Sequence, residues 1–333
     1  MKIAVVILNW NGKKFLEKFL PNVIECSGVA EVIVADNAST DDSIDFLKQN
    51  FHQVRLIQNG ENGGFSKGYN DALKHVDADY FVLLNSDIEV TKNWIQPVID
   101  LMESDPKIAV CQPKIRSYHE REKFEYAGAS GGFIDKFGYP FCRGRIFETV
   151  EIDTGQYDDV CEIFWATGAT MFVKSSIYKE FDGLDEDFFA HMEEIDFCWR
   201  VKNAGYKVMY CPDSTVYHVG GGTLPKSSSR KTYLNFRNNL SLIYKNLHSK
   251  NLFFVLFVRW FLDDIAALRF LLGGSFGDFF AVVRAQFYFM KNFRKIRKER
   301  KKQLEIRKFH TGIYPFSIVW KYYIQKRKTF VQL

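Results

Sequence analysis

The chain has 333 residues, 47% of them hydrophobic, and a formal net charge of +5. That is ample apolar content for a globular core, in one large domain or two smaller ones. Six scattered cysteines without a CxxC pair argue against a zinc site or a disulfide framework, and no charge-free apolar run of about 18 residues marks a membrane span.

The first part of the chain alternates strand and helix. Met1-Lys2-Ile3-Ala4-Val5-Val6 opens a strand over Ile3–Leu8 and not a signal peptide, because Asn9-Trp10-Asn11-Gly12 follows at once. The protein is therefore expected in the cytoplasm, with reduced thiols. A helix over Lys13–Cys26 and a strand over Glu31–Ala35 come next. Thr40 is the expected N-cap of a helix over Asp41–Gln49. A strand at Val54–Ile57, a helix at Phe65–His75 and a strand at Tyr80–Leu84 follow, and Thr91 is placed to cap a helix reaching Glu103. This series predicts an α/β fold, a mostly parallel sheet with helices on both faces.

From Ile108 to Val173 the pattern is β-rich and irregular, with a loop expected over Phe141–Asp159. Helices are expected over Val173–Phe181 and Glu194–Ala204, and short strands at Val208–Cys211 and Thr215–His218. A Gly-, Ser- and Lys-rich loop runs from Gly220 to Lys231, and a helix starts near Tyr233. Beyond Leu252 the composition turns Phe-rich. Leu252–Leu272 and Phe276–Met290 flank Gly273-Gly274-Ser275 and read as an αα-hairpin. Arg259 and Asp263, four residues apart, can pair on one helix face. A dense basic run from Lys291 to Lys302 follows. Two domains are expected, 1–250 and a helical, basic region 251–333. The charges inside the hairpin argue against a bilayer span and suit an anionic membrane surface, the inner face of the cell membrane. The alternative is a hairpin packed on the rest of the chain or on a second subunit.

Several constellations carry chemistry. Phe81-Val82-Leu83-Leu84 stops on Asn85-Ser86-Asp87, and ligands of open parallel sheets gather beyond the carboxyl ends of strands. Asp87 can hold a hard cation together with nucleotide phosphates, or can merely cap the next helix. Val32-Ile33-Val34-Ala35 ends at Asp36, whose carboxylate only accepts hydrogen bonds. It could take the N3–H of uracil or thymine, which cytosine lacks. Asn62-Gly63-Gly64 opens a helix that reaches Asn70, so backbone amides there could meet ligand oxygens. The segment is not GxGxxG, which argues against a dinucleotide-binding oxidoreductase. Glu193, Glu194 and Asp196 sit in a first helical turn, where acids suit the dipole but also raise each other's proton affinity. Such a carboxylate can act as general base. His218 ends a strand before Gly220-Gly221-Gly222-Thr223 and can ligate a metal. Lys226, Arg230 and Lys231 could close over a diphosphate, with Arg237 and Asn238 adding contacts.

Taken together, VVILNWNG (5–12), VADNASTD (34–41), NGGFSKGYN (62–70), LNSD (84–87), FFAHMEEIDFCWR (188–200) and YHVGGG (217–222) resemble the family 2 glycosyltransferases with a GT-A fold. The likeness covers roughly Met1 to Leu247 and points to the rhamnosyltransferase-like branch. It implies an inverting, Mg²⁺- or Mn²⁺-dependent sugar transfer from a UDP- or dTDP-sugar to a glycan or polyprenyl-linked acceptor in surface polysaccharide synthesis. It implies metal ligation by Asp87 and His218, with Asn85-Ser86-Asp87 in place of the DxD motif. It places the base at Glu194, where the family usually has Asp, or at Glu193. Donor contacts are implied for Asn9, Asn11, Asp36, Asn62, Gly63, Gly64, Asn70, Asn85, Ser86, Arg237 and Asn238. No nucleic acid partner is expected. The rival readings are a non-catalytic nucleotide- or glycan-binding protein of this fold and a peripheral membrane scaffold.

Overall fold

Uninterrupted apolar runs belong to strands covered on both faces. In the computed structural model, which describes residues 1–220, 228–306 and 312–333, such runs form the middle of a nine-stranded mixed sheet. Its first half is built from β1 (Ile3–Asn9), α1 (Lys13–Cys26), β2 (Glu31–Asp36), α2 (Ser43–Asn50), β3 (Arg55–Gln58), α3 (Gly64–Leu73) and β4 (Tyr80–Asn85). β5 (Ile88–Val90), α4 (Gln96–Ser104) and β6 (Ile108–Ser117) follow. A smaller sheet then holds β7 (Gly132–Asp135), β8 (Pro140–Cys142), β9 (Arg145–Ile146) and β10 (Thr149–Val150). The chain returns to the large sheet with β11 (Cys161–Glu162) and β12 (Thr170–Lys174), then α5 (Ser175–Glu180), α6 (Glu193–Asn203) and β13 (Lys207–His218). α7 (Ser229–Asn246), α8 (Leu252–Leu272), α9 (Phe276–Lys291), α10 (Phe293–Ile306) and β14 (Ile313–Tyr314) complete it.

The large sheet runs β11-β13-β6-β12-β4-β1-β2-β3, with β5 paired to β13. β1 lies parallel between β2 and β4, and β12 runs antiparallel between β4 and β6. The period of two sorts the strand residues onto two faces. Val5, Ile7, Val82 and Leu84 pack with Leu16 and Leu20 of α1 and Val98 and Met102 of α4. Ala4, Val6, Phe81 and Leu83 pack with Tyr69 and Leu73 of α3 and Phe197 of α6.

Several boundaries differ from the sequence reading. Thr40 does not cap α2, which begins after Asp42; Asp41 instead accepts from the Ser43 amide at 3.1 Å. Thr91 caps nothing either, because its hydroxyl donates to Thr215 O at 2.8 Å and ties β5 to β13. Val173 belongs to β12, where pairing with Phe81 overrides its helical neighbourhood. The two strands expected around Cys211 and Thr215 are one strand with a register shift between them. The segment expected as a loop, Phe141–Asp159, forms ladders of two or three residues, too short to leave a periodic pattern.

The hairpin of α8 and α9 forms with its expected ends except that α9 runs one residue further, to Lys291, and Arg259 pairs with Asp263 at 2.7 Å. Its inner side joins the main core through Leu252, Val255 and Phe289, and the Tyr244 ring of α7 stands 5.0 Å from that of Phe293. The end of the chain is not helical throughout: β14 pairs parallel with β7, and the Ile318 amide donates to Asp135 Oδ2 at 2.8 Å.

Candidate active site

β1 stops at Asn9, β2 at Asp36 and β4 at Asn85, side by side, with Asn9 level with Asp36 and Leu8 with Asn85. Along β3-β2-β1-β4 the winding reverses between β1 and β4, the switch point at which open α/β sheets bind ligands. Asp36 is fully buried there; its Oδ2 accepts from Asn9 Nδ2 at 2.9 Å and its Oδ1 from the Ser39 amide at 2.8 Å. Asn9 Oδ1 is buried without a hydrogen-bond partner. Asn11, at φ 51°, holds the following turn, its Oδ1 accepting from the Thr40 amide at 2.7 Å. Asn37 ties Asn62 to this corner, donating to Asn62 Oδ1 at 3.0 Å.

Asn85 and Ser86 are half-buried at the end of β4, and Asp87 is buried beside them. The antiparallel pairing of His218 with Ile88 brings its Nε2 to 3.2 Å from Asp87 Oδ1. Burial pulls the imidazole's proton affinity down, but the Glu125 and Asp87 carboxylates outweigh it and hold His218 up at about 10. Burial likewise opposes the Asp87 anion, and His218 turns the balance, leaving its pKa below the ordinary value. Neighbouring ligands of an octahedral cation with bonds of about 2.0–2.1 Å stand about 2.9 Å apart, so this pair fits a divalent ion completed by phosphate oxygens and water. Asp87 and His218 would hold it. Among the described residues no group of three His, Cys, Asp or Glu side chains could hold a metal without such outside ligands.

The second half of the site is the start of α6. The loop before it places Phe189, His191 and Met192 at φ 62°, 68° and 74°. Such backbone costs about 1–3 kcal/mol per residue and persists only where its surroundings over-determine it. Asn238 Nδ2 lies within 3.0 Å of the Phe188, Ala190 and His191 carbonyls, and Arg237 Nη2 donates to Asp187 O and Phe188 O at 2.8 Å. The Phe65 amide donates to Phe189 O at 2.7 Å, an approach that a Cβ on Gly64 would block.

This loop presents Glu193 and Glu194, each with a buried Oε2 that lacks a hydrogen-bond partner. Burial raises Glu194 to about 7, although amides at the helix start pull it back. Burial and the neighbouring Glu194 push Glu193 well above the ordinary carboxylate range. Glu193 is more deeply buried and Glu194 half-buried. Glu194 is therefore the one poised to exchange a proton near neutrality. Burial also lowers His191, to about 4, so its imidazole is neutral there.

The approach to β12 joins the two halves. Ala169 O accepts from the Asn85 amide at 2.9 Å, Gly168 lies against the Phe65 ring, and the Ala166 amide donates to Cys198 Sγ of α6 at 3.4 Å.

Some expected donor contacts are otherwise engaged. The amides of Gly63 and Gly64 donate to Glu61 O and Asn62 Oδ1; Gly64 makes room for Phe189, and Gly63 lies against the Lys67 side chain. Asn70 is saturated, bonding to Tyr178, Leu184 and Glu186, and braces the chain ahead of the Glu194 loop. Arg237 and Asn238 clamp that same loop instead of reaching for a diphosphate. Arg230 lies over the Phe189 ring. Gly221, Gly222, Thr223 and Lys226 lie outside the described residues. Glu125, against His218, was not foreseen, and nothing near it in the sequence signals the contact.

Residues 4–159 match the family described as Glycosyl transferase family 2. The low-salt glycan biosynthesis hexosyltransferase Agl10 of Haloferax volcanii is 23% identical over 75% of this chain and 78% of its own. The N-acetylglucosaminyl-diphospho-decaprenol L-rhamnosyltransferase of Mycobacterium tuberculosis is 25% identical over 65% of this chain and 75% of its own. Among solved structures, GalNAc-T7 with UDP, GalNAc and Mn²⁺ superposes with a TM-score of 0.57 at 16% identity, over 74% of this chain and 48% of that one. The domain match over residues 4–159, the relatives and the shared GT-A fold agree with the site at the switch point: the chain is similar to the family 2 glycosyltransferases and, among its relatives, to a rhamnosyltransferase and a hexosyltransferase.

Proposed function

We propose that this glycosyltransferase works with inversion, moving a hexosyl or rhamnosyl group from a UDP- or dTDP-sugar to a lipid-linked glycan acceptor at the inner, anionic face of a membrane. The observation that carries the reading is the pairing of Glu194, at about 7, with a separate Asp87–His218 pair at the end of β4. Glu194 takes the proton of the acceptor hydroxyl. The acceptor oxygen bonds to the anomeric carbon while the bond to the diphosphate breaks on the opposite face and the diphosphate leaves with that electron pair. Asp87 and His218 would hold a divalent cation, which would supply neutralising charge to the leaving diphosphate. Asn9 Oδ1, beside the Asp36 carboxylate, lacks a hydrogen-bond partner, which supports acceptance of a pyrimidine N3–H at this corner.

The membrane part rests on the hairpin. No helix among the described residues is long and apolar enough to cross a bilayer. Yet Phe253, Phe257 and Leu272 are 73%, 72% and 80% exposed, with Phe254, Phe261, Phe276 and Phe280 also bare. Arg294, Arg297, Lys298, Lys301 and Lys302 are exposed on the adjoining α10. An apolar face beside clustered cations suits an anionic leaflet, each cation adding about 1 kcal/mol. The decaprenol-linked substrate in the mycobacterial relative's name agrees with an acceptor held there.

The deciding experiment is a screen of UDP-, dTDP- and GDP-sugars with and without Mn²⁺, reading turnover and the product's anomeric configuration by NMR. Metal-dependent turnover of a UDP- or dTDP-sugar with inversion is expected. Equal use of GDP-sugars would overturn the pyrimidine assignment, and retention would overturn the role of Glu194.

A further inference from the structure

We propose that Glu125 is a positioning residue for the cation site: it holds the His218 ring so that Nε2 faces the ion shared with Asp87. The inference rests on the reading of Asp87 and His218 as that site. An imidazole has two nitrogens, and a metal-binding one needs its other N–H held by an acceptor to fix ring and tautomer. Here Nε2 faces Asp87 at 3.2 Å and Nδ1 faces Glu125 Oε2 at 3.5 Å, on opposite sides of the ring. Nδ1 is buried and has no closer partner. Glu125 is thus behind the ligand and not a third ligand.

The surroundings fix this carboxylate as firmly as the ring. Glu125 is only 7% exposed. Its backbone amide donates to Ile115 O of β6 at 3.0 Å, and its Oε2 also accepts from the Ala127 amide. Gly220, at φ 72°, leaves room for Oε1, which a Cβ there would approach to 3.0 Å. On the other side the Tyr118 amide donates to His218 O at 2.9 Å, and the Val219 amide to Asp87 O at 3.1 Å. The turn after β6 therefore contributes a buried, backbone-anchored anion that faces the distal nitrogen of His218.

The test uses the full chain and Mn²⁺, titrated by EPR with and without UDP. Glu125→Gln keeps the shape and removes the charge; it is expected to weaken Mn²⁺ about 10- to 100-fold, the usual effect of losing an outer partner of a ligand. Metal-free UDP binding should stay put. The visible spectrum of the Co²⁺-loaded variant should shift, which a mere loss of stability would not cause. Glu125→Asp, which retracts the charge by one methylene, should fall between, and it serves if the Gln variant does not fold. Asp87→Asn and His218→Gln are run alongside. If these two lose Mn²⁺ while both Glu125 variants bind it as tightly as the unaltered chain, the proposal is wrong. If none of the four loses it, the cation site itself has been misplaced.

Discussion

The sheet and the C-terminal hairpin are both rich in Phe and Leu, but they spend that surface differently. In β1 and β4 both faces are covered: Val5, Val6, Phe81, Val82, Leu83 and Leu84 are all fully buried. In α8 and α9 only one face is. Arg259 and Asp263 turn inward as a buried ion pair, while Phe253, Phe257 and Phe261 point out. An average surface scatters its apolar residues singly, so a run of bare Phe residues on one helix face is unusual. The sheet's apolar surface builds the switch point and holds the chemistry; that of the hairpin is left over after folding.

The sharpest way to test this division is to remove chemistry from the sheet region without touching its packing. Glu194→Gln is expected to cost about 10²–10⁴-fold in transfer, the usual range for a general base, with donor binding retained in calorimetry. Glu193→Gln should cost far less, because Glu193 is the more deeply buried of the two, and burial with the neighbouring Glu194 favours its protonated form. If the Glu193 variant is the dead one, the roles are exchanged. The pH profile should follow. Only the ionised base accepts a proton, so transfer should climb as pH rises through about 7 and then level, and the Gln variant should lose that limb. The same raised pKa means that Glu194 favours the folded state at acid pH, and that this contribution fades between its ordinary pKa and about 7.

Packing comes next in size. Leu83→Ala, in a strand covered on both faces, should lose about 2–5 kcal/mol in a denaturant titration. Phe257→Ser, on the bare face of α8, should change stability by no more than about 0.5 kcal/mol. An equal loss for the two would mean that the hairpin face is core after all. Asp36→Ala should weaken uracil and thymine nucleotides by about 1.5–3 kcal/mol, the worth of a hydrogen bond to a charged group, with GDP unaffected.

The smallest change in the folded molecule should have a clear effect on location. Flotation with anionic liposomes should recover the unaltered chain, and Phe253→Ser combined with Phe257→Ser should lower that recovery. Binding should also weaken with salt, since screening shortens the reach of the α10 cations. A chain that ignores anionic liposomes at low salt would leave the face to a second copy or another protein.

Much of the placement of the candidate site was readable from order alone, for a physical reason. A strand's apolar run and the polar residues ending it are local features, and a parallel sheet places such ends in a row. The strand end at Asp36, the break after Leu84 before Asp87, the helix starting at Glu193 and Glu194, and the ends of α8 and α9 to within one residue were therefore visible as positions. Contacts that join distant segments left no local trace. Gly64, read from the sequence as part of a ligand cradle, also makes room for the approach of Phe189. Arg237 and Asn238 looked like diphosphate contacts but hold carbonyls of a left-handed loop. The pairing of Val173 with Phe81 and the seating of Glu125 behind His218 arise only when the chain closes on itself. Local periodicity determined the elements and the residues at their ends; burial and cross-chain hydrogen bonding decided which of those residues are spent on the fold and which are left to meet a ligand.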